Sequence, residues 1–452
     1  MQDESWQKRL AEIVGDEYLA FETAQLNGTW PGAPPKAIAR PRSGEQVCEL
    51  LRLAHSERLT VAAAGSMTKQ RLGGVPRGID FVLSLERLNR ITDYQPADLT
   101  VTVEAGVRMA NLAATLQCER QMLPLDPPFG AEATVGGVIA TNGSGPRRLA
   151  YGSARDMVLG IHFVTSEGTL AKSGGKVVKN VAGYDVAKLL IGSLGSLAIV
   201  TDVTFKTFPI LPASATLLCG FETAGQAFRA AQHILHSPFA PQALDLLDRE
   251  AAELLPMRFA PSSAFVLAIG TAGPKPVVER MGRELPALLS SDGPAESVRL
   301  AGEEESGFWS GIQELTPSFL GAQSGGAVIK SSVVITRIEE VVASAQRIAS
   351  ENGLDSATLA RAGTGVVYSY LWPGTESSAE GIEGALARAS ESIVQQTEQL
   401  GGRAIVEWAP ASVREKINIW GTLRDDFSLM QRLKAQFDPQ GILNPGRFYG
   451  GI

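Results

Sequence analysis

The chain has 452 residues, of which 44% are hydrophobic, and 41 Lys and Arg residues against 48 Asp and Glu residues give a formal charge of −7. This length predicts two or more domains, and an acidic balance without a dense basic run argues against nucleic acid as a main partner. Cys48, Cys118 and Cys219 show no C-x-x-C spacing, which argues against a zinc knuckle or an iron–sulfur cluster in this chain and suits a reducing compartment.

Residues 1–35 are predicted to form a helical lead-in. Leu10, Ile13 and Val14 share one stripe of a charged, amphipathic segment, and the turn-rich sequence WPGAPP follows. The segment lacks the apolar stretch of a signal peptide, and no run approaches about 18 apolar residues. We therefore expect a cytoplasmic protein without direct membrane insertion.

Residues 36–209 carry the pattern of an α/β unit. Ser43 is a predicted N-cap for a helix, and the strands TVAAA, FVLSL and TVTVEAG follow. The loop Gly65–Lys69 comes directly after the first of these strands. Its backbone amides and the hydroxyls of Ser66 and Thr68 suit a pyrophosphate, with an ordinary strand-connecting loop as the alternative.

The stretch from Asp126 to Pro209 is exceptionally rich in glycine. It carries 13 of the 47 glycines between Phe129 and Val200, among β-branched runs such as GIHFVT and SLAIVTDVTF. Glycine lets backbone amides approach a ligand closely and adopt positive φ without steric cost. Flexible linkers do not alternate with apolar strands, so the pattern predicts a cofactor cradle.

Two common nucleotide motifs are absent. A Walker A loop fails because Gly175-Lys176 is followed by valine, and a Rossmann fingerprint fails because Gly192-Ser-Leu-Gly195 lacks the G-x-G start. The histidines do not form a plausible metal cluster, and we interpret them as surface or core residues. They are His55, His162, His233 and His236.

The chain changes character after Pro209. Over residues 210–405 the strands TLLCGF, ALDLLD, AFVLAIG, GAVIKSSVVI and GVVYSYLW alternate with the helices AGQAFRAAQHIL, VVERMGRELPALL and IEEVVASAQRIASENG. This order predicts an α+β domain with an antiparallel sheet. Residues 406–452 form a last segment, which we expect to return to the first domain.

Together these residues resemble the FAD-binding fold of the vanillyl-alcohol oxidase and p-cresol methylhydroxylase type. Within that group the chain is similar to the second FAD-binding subunit of bacterial glycolate oxidase. The most specific segments are ATVGGVIATNGSGPRRLAYGSARD, KVVKNVAGYDVAKLLIGSLGSL, INIWGTLRDDFSLMQRLKAQFDP and GILNPGRFYGGI. The resemblance implies an α+β protein with a two-subdomain FAD-binding fold and an α+β cap domain.

The resemblance also implies which residues bind FAD. The Gly65–Lys69 loop would bind the pyrophosphate. Residues 126–128 and 134–142 would line the pyrophosphate and the isoalloxazine edge, and Leu194–Val200 would contact the ribityl and adenine parts. Ala64 and Met67 stand where this loop often has Arg and Gly, and no His or Cys stands at the usual attachment point, so noncovalent FAD is expected. The predicted contacts are Gly65, Ser66, Met67, Thr68 and Lys69; Asp126 and Pro127; Thr134, Gly136, Gly137, Ala140, Thr141 and Asn142; Tyr151, Gly152, Arg155 and Asp156; Gly195, Ile199 and Val200; and Asn444.

In the second domain, catalytic relatives that oxidise 2-hydroxy acids carry H-A-G-D-G-N-x-H and a later E-H-G, which help hold a divalent metal. Here the corresponding segment runs from Arg361 to Tyr368 as RAGTGVVY, and Glu407-Trp408-Ala409 replaces E-H-G. Arginine and tyrosine cannot replace neutral imidazole ligands. No metal is therefore expected, and no catalytic residue is assigned.

Three interpretations remain open. In the first, the chain is a flavoprotein subunit of a multi-subunit 2-hydroxy-acid (glycolate) dehydrogenase, with a sister FAD-linked catalytic subunit and an iron–sulfur subunit, through which any association with the inner membrane would occur. In the second, it is an independent metal-free oxidase in which Lys330 or Arg361 clamps a substrate carboxylate and Glu407 or Tyr368 acts as base. In the third, it is a scaffold with an empty flavin site.

Overall fold

The structure is a computed structural model, and it describes residues 3–21, 23, 30–176, 184–255, 263–374 and 381–452. The chain forms two compact units. The first unit comprises Met1–Gly143, Ser153–Ile210 and Leu423–Ile452, and the second comprises Ser144–Gly152 and Leu211–Thr422. The four segments expected from the sequence remain a prediction, and part of the lead-in lies outside the described residues.

The helices are spread over both units. They are α1 (Asp3–Val14), α2 (Gly44–Glu57), α3 (Met109–Cys118), α4 (Val135–Thr141), α5 (Arg148–Tyr151), α6 (Ala154–Met157), α7 (Val186–Leu190), α8 (Ala224–Leu235), α9 (Arg249–Glu253), α10 (Lys275–Leu289), α11 (Glu303–Gln313), α12 (Leu315–Ala322), α13 (Ile338–Glu351), α14 (Ile382–Gln399), α15 (Ala411–Arg414) and α16 (Phe427–Phe437).

Within the described ranges, the strands form three main sheets and one short pair. They are β1 (Leu19–Ala20), β2 (Ala37–Ala39), β3 (Val61–Ala64), β4 (Phe81–Ser84), β5 (Ile91–Gln95), β6 (Thr100–Glu104), β7 (Gln121–Met122), β8 (Val158–Val164), β9 (Leu170–Gly174), β10 (Ile199–Lys206), β11 (Phe208–Pro209), β12 (Ala213–Phe221), β13 (Ala243–Asp248), β14 (Phe265–Gly273), β15 (Glu296–Leu300), β16 (Ala327–Ser332), β17 (Leu354–Arg361), β18 (Val366–Pro373) and β19 (Arg403–Trp408).

The first unit holds two sheets, of order β1-β2-β4-β3 and β5-β6-β10-β8-β9. In the former, β2, β4 and β3 run parallel, while the latter is antiparallel throughout. The Ser43 hydroxyl accepts a hydrogen bond from Gln46 N and starts α2, as the sequence predicts. The apolar stripe of α2 packs with α1 into one core, to which Leu443 near the C-terminus also contributes. The end of the chain is therefore part of the core from which the loop Gly65–Lys69 emerges.

The second unit is built on one eight-stranded antiparallel sheet of order β15-β12-β14-β13-β17-β18-β16-β19. Apolar side chains alternate between its two faces. Residues of α8, α10, α13 and α14 pack on one face, and residues of α9, α11 and α12 pack on the other. Of the helices in the described part of the chain, none combines the length and the apolarity that crossing a bilayer requires.

The carboxylate of Asp248 makes the stability of the second unit depend on pH. Asp248 is 3% exposed, accepts hydrogen bonds from Ala251 N at 2.9 Å and from Gln346 Nε2 at 3.1 Å, and caps α9. Burial raises its pKa to about 6. The folded state thus binds this proton more tightly than the unfolded state does. The associated stability is fully present below the ordinary pKa and is lost as the pH rises through about 6.

Asp248→Asn should remove this pH dependence, because Asn also caps helices but does not ionise. Unfolding monitored by circular dichroism from pH 4 to pH 7 should show wild type losing about 1–3 kcal/mol relative to the variant. Parallel curves for the two proteins over that range would contradict the assignment.

Candidate cofactor site

A cavity that contains about 900 Å³ of space, partly open to solvent, lies in the first unit. Its lining includes many of the residues expected to contact FAD: Gly65, Ser66, Met67, Thr68, Lys69, Pro127, Thr134, Gly136, Gly137, Ala140, Thr141, Gly195, Ile199 and Val200.

The loop after β3 presents backbone donors at this cavity. Within the described part of the chain, the N–H groups of Gly65–Thr68 donate no hydrogen bond to the protein. Met67 has a φ of 57°, in the left-handed region that favours glycine. Unpaired amides in a turn with a left-handed residue are typical of anion-binding concavities. The loop therefore has the chemistry that a pyrophosphate requires.

The N-terminal end of α4 meets the same loop. The Thr134 hydroxyl accepts a hydrogen bond from Gly137 N at 3.3 Å and caps the helix. A Cβ added to Gly65 would lie 2.0 Å from Thr134 Oγ1, so the loop can approach the helix only because residue 65 is glycine. Loop and helix together form one continuous wall of the cavity.

Gly136 and Gly137 of α4 are glycines for different structural reasons. A Cβ on Gly136 would lie 2.9 Å from Ala105 Cβ and 3.0 Å from the Ala105 carbonyl oxygen. A Cβ on Gly137 would meet only Thr134 Oγ1, at 3.2 Å. Close packing within the protein thus accounts for Gly136, whereas Gly137 faces open space in the cavity.

Valine substitutions should separate these two roles. Gly136→Val should destabilise the apoprotein by about 1–3 kcal/mol, the usual cost of overpacking. Gly137→Val should lower FAD occupancy while the apoprotein melts almost as wild type does. Absorbance at 450 nm per protein and thermal melts of the apoproteins measure both effects. Full flavin retention by Gly137→Val would remove this residue from the binding wall.

Several expected contacts lie beside the cavity. Asp126 precedes Pro127, Asn142 ends α4, and Asn444 Nδ2 donates to the Leu194 carbonyl oxygen at 2.7 Å. The Oδ1 atoms of Asn142 and Asn444 are buried and have no hydrogen-bond partner among the described residues. Buried acceptors usually have a donor, so these two oxygens are consistent with a polar ligand nearby.

Four other expected contacts are not among the lining residues. Arg155 and Asp156 lie in α6, where the Asp156 carboxylate accepts from Ser153 N at 2.8 Å in a capping box. Tyr151 and Gly152 belong to the second unit, where the Tyr151 hydroxyl accepts from Gln242 Nε2 at 3.1 Å. Part of the motif KVVKNVAGYDV, residues 177–183, lies outside the described residues.

Backbone strain is concentrated around this cavity. Six described non-glycine residues with positive φ line it or adjoin it, namely Met67, Asp126, Phe129, Asn142, Leu194 and Asn444. Such conformations cost about 1–3 kcal/mol each and persist where the surrounding structure enforces them, often at ligand sites. The wall of the cavity is thus held in a shape that local preferences disfavour.

The sequence-based list omitted some lining residues, among them Gln70, Ser193 and Arg447, whereas Leu194 lies in the expected Leu194–Val200 segment and does line the cavity. The terminal NPGRF segment is the only sequence signal for Arg447. The described lining contains no His or Cys, which is consistent with noncovalent FAD. Acid precipitation should therefore release FAD into the supernatant, and yellow colour that stays in the pellet would contradict noncovalent binding.

The second unit carries a row of charged side chains on one face of its sheet. Arg361 on β17 forms an ion pair with Asp245 on β13, and the two side chains are 11% and 1% exposed. Lys330 Nζ on β16 lies 3.3 Å from Glu407 Oε1 on β19 and 5.6 Å from the centre of the Tyr368 ring. Arg361 and Glu407, two of the residues expected at metal-ligand positions, are therefore engaged in cation–carboxylate pairs.

A β-bulge shapes the end of this row. Val328 pairs with Trp408 and Ile329 pairs with Val406, so Glu407 is the extra residue on β19. Trp408 consequently packs on the same face as Val328, against the cluster that includes Tyr368. The side chains of two consecutive residues, Glu407 and Trp408, therefore lie on the same face of the sheet.

The electrostatics of the row do not suit a divalent metal. Burial lowers the pKa of Lys330, but Tyr368 and the Glu407 carboxylate raise it, and the net shift is upward, so the ammonium stays charged. A second cation, Arg361, lies in the same row. The described residues contain no group of three or more His, Cys, Asp or Glu side chains placed to hold a metal ion. These side chains therefore do not form a donor set that fits a divalent metal.

Comparison with known proteins agrees with this architecture. Residues 35–174 match the family model for an FAD binding domain, and residues 210–448 match that for the C-terminal domain of FAD linked oxidases. The structure of p-cresol methylhydroxylase with substrate bound superposes with a TM-score of 0.78 over 98% of this chain and 96% of that chain, at 17% identity. The predicted α+β fold of the p-cresol methylhydroxylase type is confirmed.

Curated relatives agree on the protein class. Glycolate oxidase subunit GlcD of Bacillus subtilis (strain 168) is 28% identical over 428 residues, 92% of this chain and 89% of that protein. Glycolate oxidase subunit GlcE of Escherichia coli (strain K12) is 37% identical over 174 residues, 38% of this chain and 49% of that protein. The chain is an FAD-binding oxidoreductase. It belongs to the family of FAD-linked oxidases.

Proposed function

We propose that this chain is an FAD-binding flavoprotein subunit of a multi-subunit 2-hydroxy-acid dehydrogenase that acts on glycolate. A sister FAD-linked subunit would oxidise the substrate, and an iron–sulfur subunit would accept electrons. Similarity to two named subunits of glycolate oxidase supports a heteromeric role. Any association with the inner membrane would come through those partners.

The Arg361–Asp245 pair is the observation that carries this proposal. A guanidinium that already binds a buried carboxylate of its own chain is not available to clamp a substrate carboxylate at no cost. Lys330 is likewise engaged with Glu407. Both cations that a substrate acid would need therefore have partners, and the metal that would activate its hydroxyl lacks a suitable donor set.

FAD, when bound, would supply the capacity to accept and pass on electrons. The residues of the first unit would hold and orient it. We propose that the Gly65–Lys69 loop binds its pyrophosphate through backbone amides and that α4 lies along its flavin side. The glycines and apolar residues Ala140, Ile199 and Val200 would exclude water from the cofactor.

An independent, metal-free oxidase of a small hydroxy acid is the second candidate. Its support is the proximity of Lys330, Glu407 and Tyr368, since a lysine beside a carboxylate and a phenol can bind an acid and move a proton. In this case Arg361 would have to exchange Asp245 for the substrate.

Co-purification tests the proposal. The chain should be expressed with an affinity tag from its own genomic locus, purified, and examined for bound proteins, flavin, iron and labile sulfide. Recovery of a second flavoprotein and an iron–sulfur protein in fixed stoichiometry would support the subunit role. A chain that purifies alone and reduces its flavin with a hydroxy acid would favour the independent oxidase.

A further inference from the structure

The guanidinium of Arg447 is hydrogen-bonded along the strand-to-loop segment that borders the cofactor cavity. Its Nη2 donates to the carbonyl oxygens of Lys69 at 2.9 Å and Gln70 at 3.0 Å, and its Nε donates to the Leu72 carbonyl oxygen at 3.1 Å. Its Nη1 donates to Gln70 Oε1. Arg447 therefore fixes the part of the chain directly after Gly65–Thr68.

Arg447 is 4% exposed and itself lines the cavity. Carbonyl oxygens carry partial negative charge and would repel a pyrophosphate. A guanidinium that binds these oxygens neutralises that repulsion and adds a positive charge beside the unpaired amides of Gly65–Thr68.

The backbone around Arg447 is in close contact with the same segment. Gly74 N donates to the Arg447 carbonyl oxygen at 2.7 Å. A Cβ on Gly73 would lie 2.6 Å from that oxygen, and a Cβ on Gly74 would lie 2.2 Å from the Gly446 carbonyl oxygen. Two consecutive glycines thus permit an approach that positions the guanidinium.

The segment that carries Arg447 is anchored independently. Lys434 Nζ donates to the carbonyl oxygens of Ser196 at 2.8 Å and Leu443 at 2.9 Å, and lies 2.6 Å from Asp438 Oδ2. Asn444 N donates to the Val61 carbonyl oxygen at 2.8 Å, at the start of β3. The residues from Lys434 to Arg447 therefore join both sides of the cavity.

We infer that Arg447 is a positioning residue for the FAD pyrophosphate: it holds the Gly65–Lys69 loop in its anion-binding shape, and FAD affinity depends on the C-terminal segment through it. This inference rests on the assignment of that loop to the pyrophosphate. It does not depend on which substrate the complex oxidises.

The test measures the dissociation constant of FAD from apoprotein, by quenching of flavin fluorescence, in Arg447→Met, Arg447→Lys and Arg432→Met. Arg432 is an exposed arginine of α16 and serves as the matched control. Arg447→Met should bind FAD about 100-fold more weakly, because charged hydrogen bonds to the loop are lost. Arg447→Lys keeps the positive charge but lacks the planar guanidinium with its several donors, so its FAD affinity should be intermediate. Arg432→Met should bind FAD as tightly as wild type does.

Two further measurements separate positioning from general loss of structure. The apoprotein of Arg447→Met should keep the wild-type circular dichroism spectrum and unfold cooperatively at a lower temperature, because the buried oxygens that Arg447 binds lose their donor. The ³¹P resonances of FAD bound to Arg447→Lys should shift from their wild-type positions. Unchanged FAD affinity in Arg447→Met would overturn the inference. If that variant does not fold, wild-type affinity together with wild-type ³¹P resonances in Arg447→Lys would overturn it. Failure of wild type to bind FAD would instead remove the cofactor site itself.

Discussion

Glycolate, D-lactate and L-lactate should leave the flavin of the isolated chain oxidised. An alcohol with a pKa of about 16 needs a metal or a well-placed base to lose its proton, and metal coordination is worth several kcal/mol of barrier. Here Arg361 and Tyr368 stand at the expected ligand positions, and Trp408 follows Glu407. We expect anaerobic bleaching to be slower than in a catalytic relative by at least about a thousandfold.

Stopped-flow mixing of the FAD-loaded chain with each acid, followed at 450 nm, makes this measurement. Dithionite serves as the positive control for reducible flavin, and addition of the co-purified partners should restore reduction by substrate. Rapid bleaching without any partner would overturn the subunit role and favour the independent oxidase.

Arg361→Met should destabilise the second unit strongly. Asp245 is 1% exposed, and removal of one member of a buried ion pair costs about 3–5 kcal/mol because the remaining charge loses its compensation. Replacement of both members, in Arg361→Met with Asp245→Leu, should recover most of that loss. Chemical denaturation of wild type, the single variants and the double variant forms a double-mutant cycle.

A coupling energy near zero in that cycle would show that the pair does not stabilise the sheet and would leave Arg361 available for a ligand. Asp245→Leu alone should also be destabilising, since it leaves the guanidinium buried. Equal stability of all four proteins would contradict the structural role of the pair.

Short sequence patterns correctly predicted the helices whose caps and core-facing residues are close together in the sequence. The cap at Ser43 predicted the start of α2, and the apolar residues Val47 and Leu50 that follow it are fully buried. The segment AGQAFRAAQHIL coincides with α8. In both helices the residues that start the element and those that face the core are close in sequence, so the pattern contains the necessary information.

The position and the burial of some strands depend on pairing with distant strands, which the sequence pattern did not reveal. Strand β17, LDSATLAR, is polar for a central strand, yet it lies between β13 and β18 and pairs with both. The alternation of TVTVEAG is typical of a strand with one exposed face, but all five residues of β6 are buried, and the hydroxyls of Thr102 and Thr204 are 2.9 Å apart. Partners across the sheet supply the polar contacts that such side chains need.

The residues of the cofactor cavity also divide into those that short motifs predicted and those placed by long-range contacts. Its loop and its glycine-rich helix could be predicted from short motifs. Arg447 could not, because it binds a loop more than 370 residues earlier in the chain, and no local pattern indicates that contact. The ion pair of Arg361 is another long-range contact, because no local pattern selects Asp245 as the partner of Arg361.

The bulge at Glu407 separates the position of two side chains from their chemical identity. Because the backbone itself directs residues 407 and 408 to one face, the capacity to present ligands there resides in main-chain geometry, independent of the side chains. Substitutions at positions 407 and 408 can therefore change which charged or aromatic groups this face presents, without refolding the sheet.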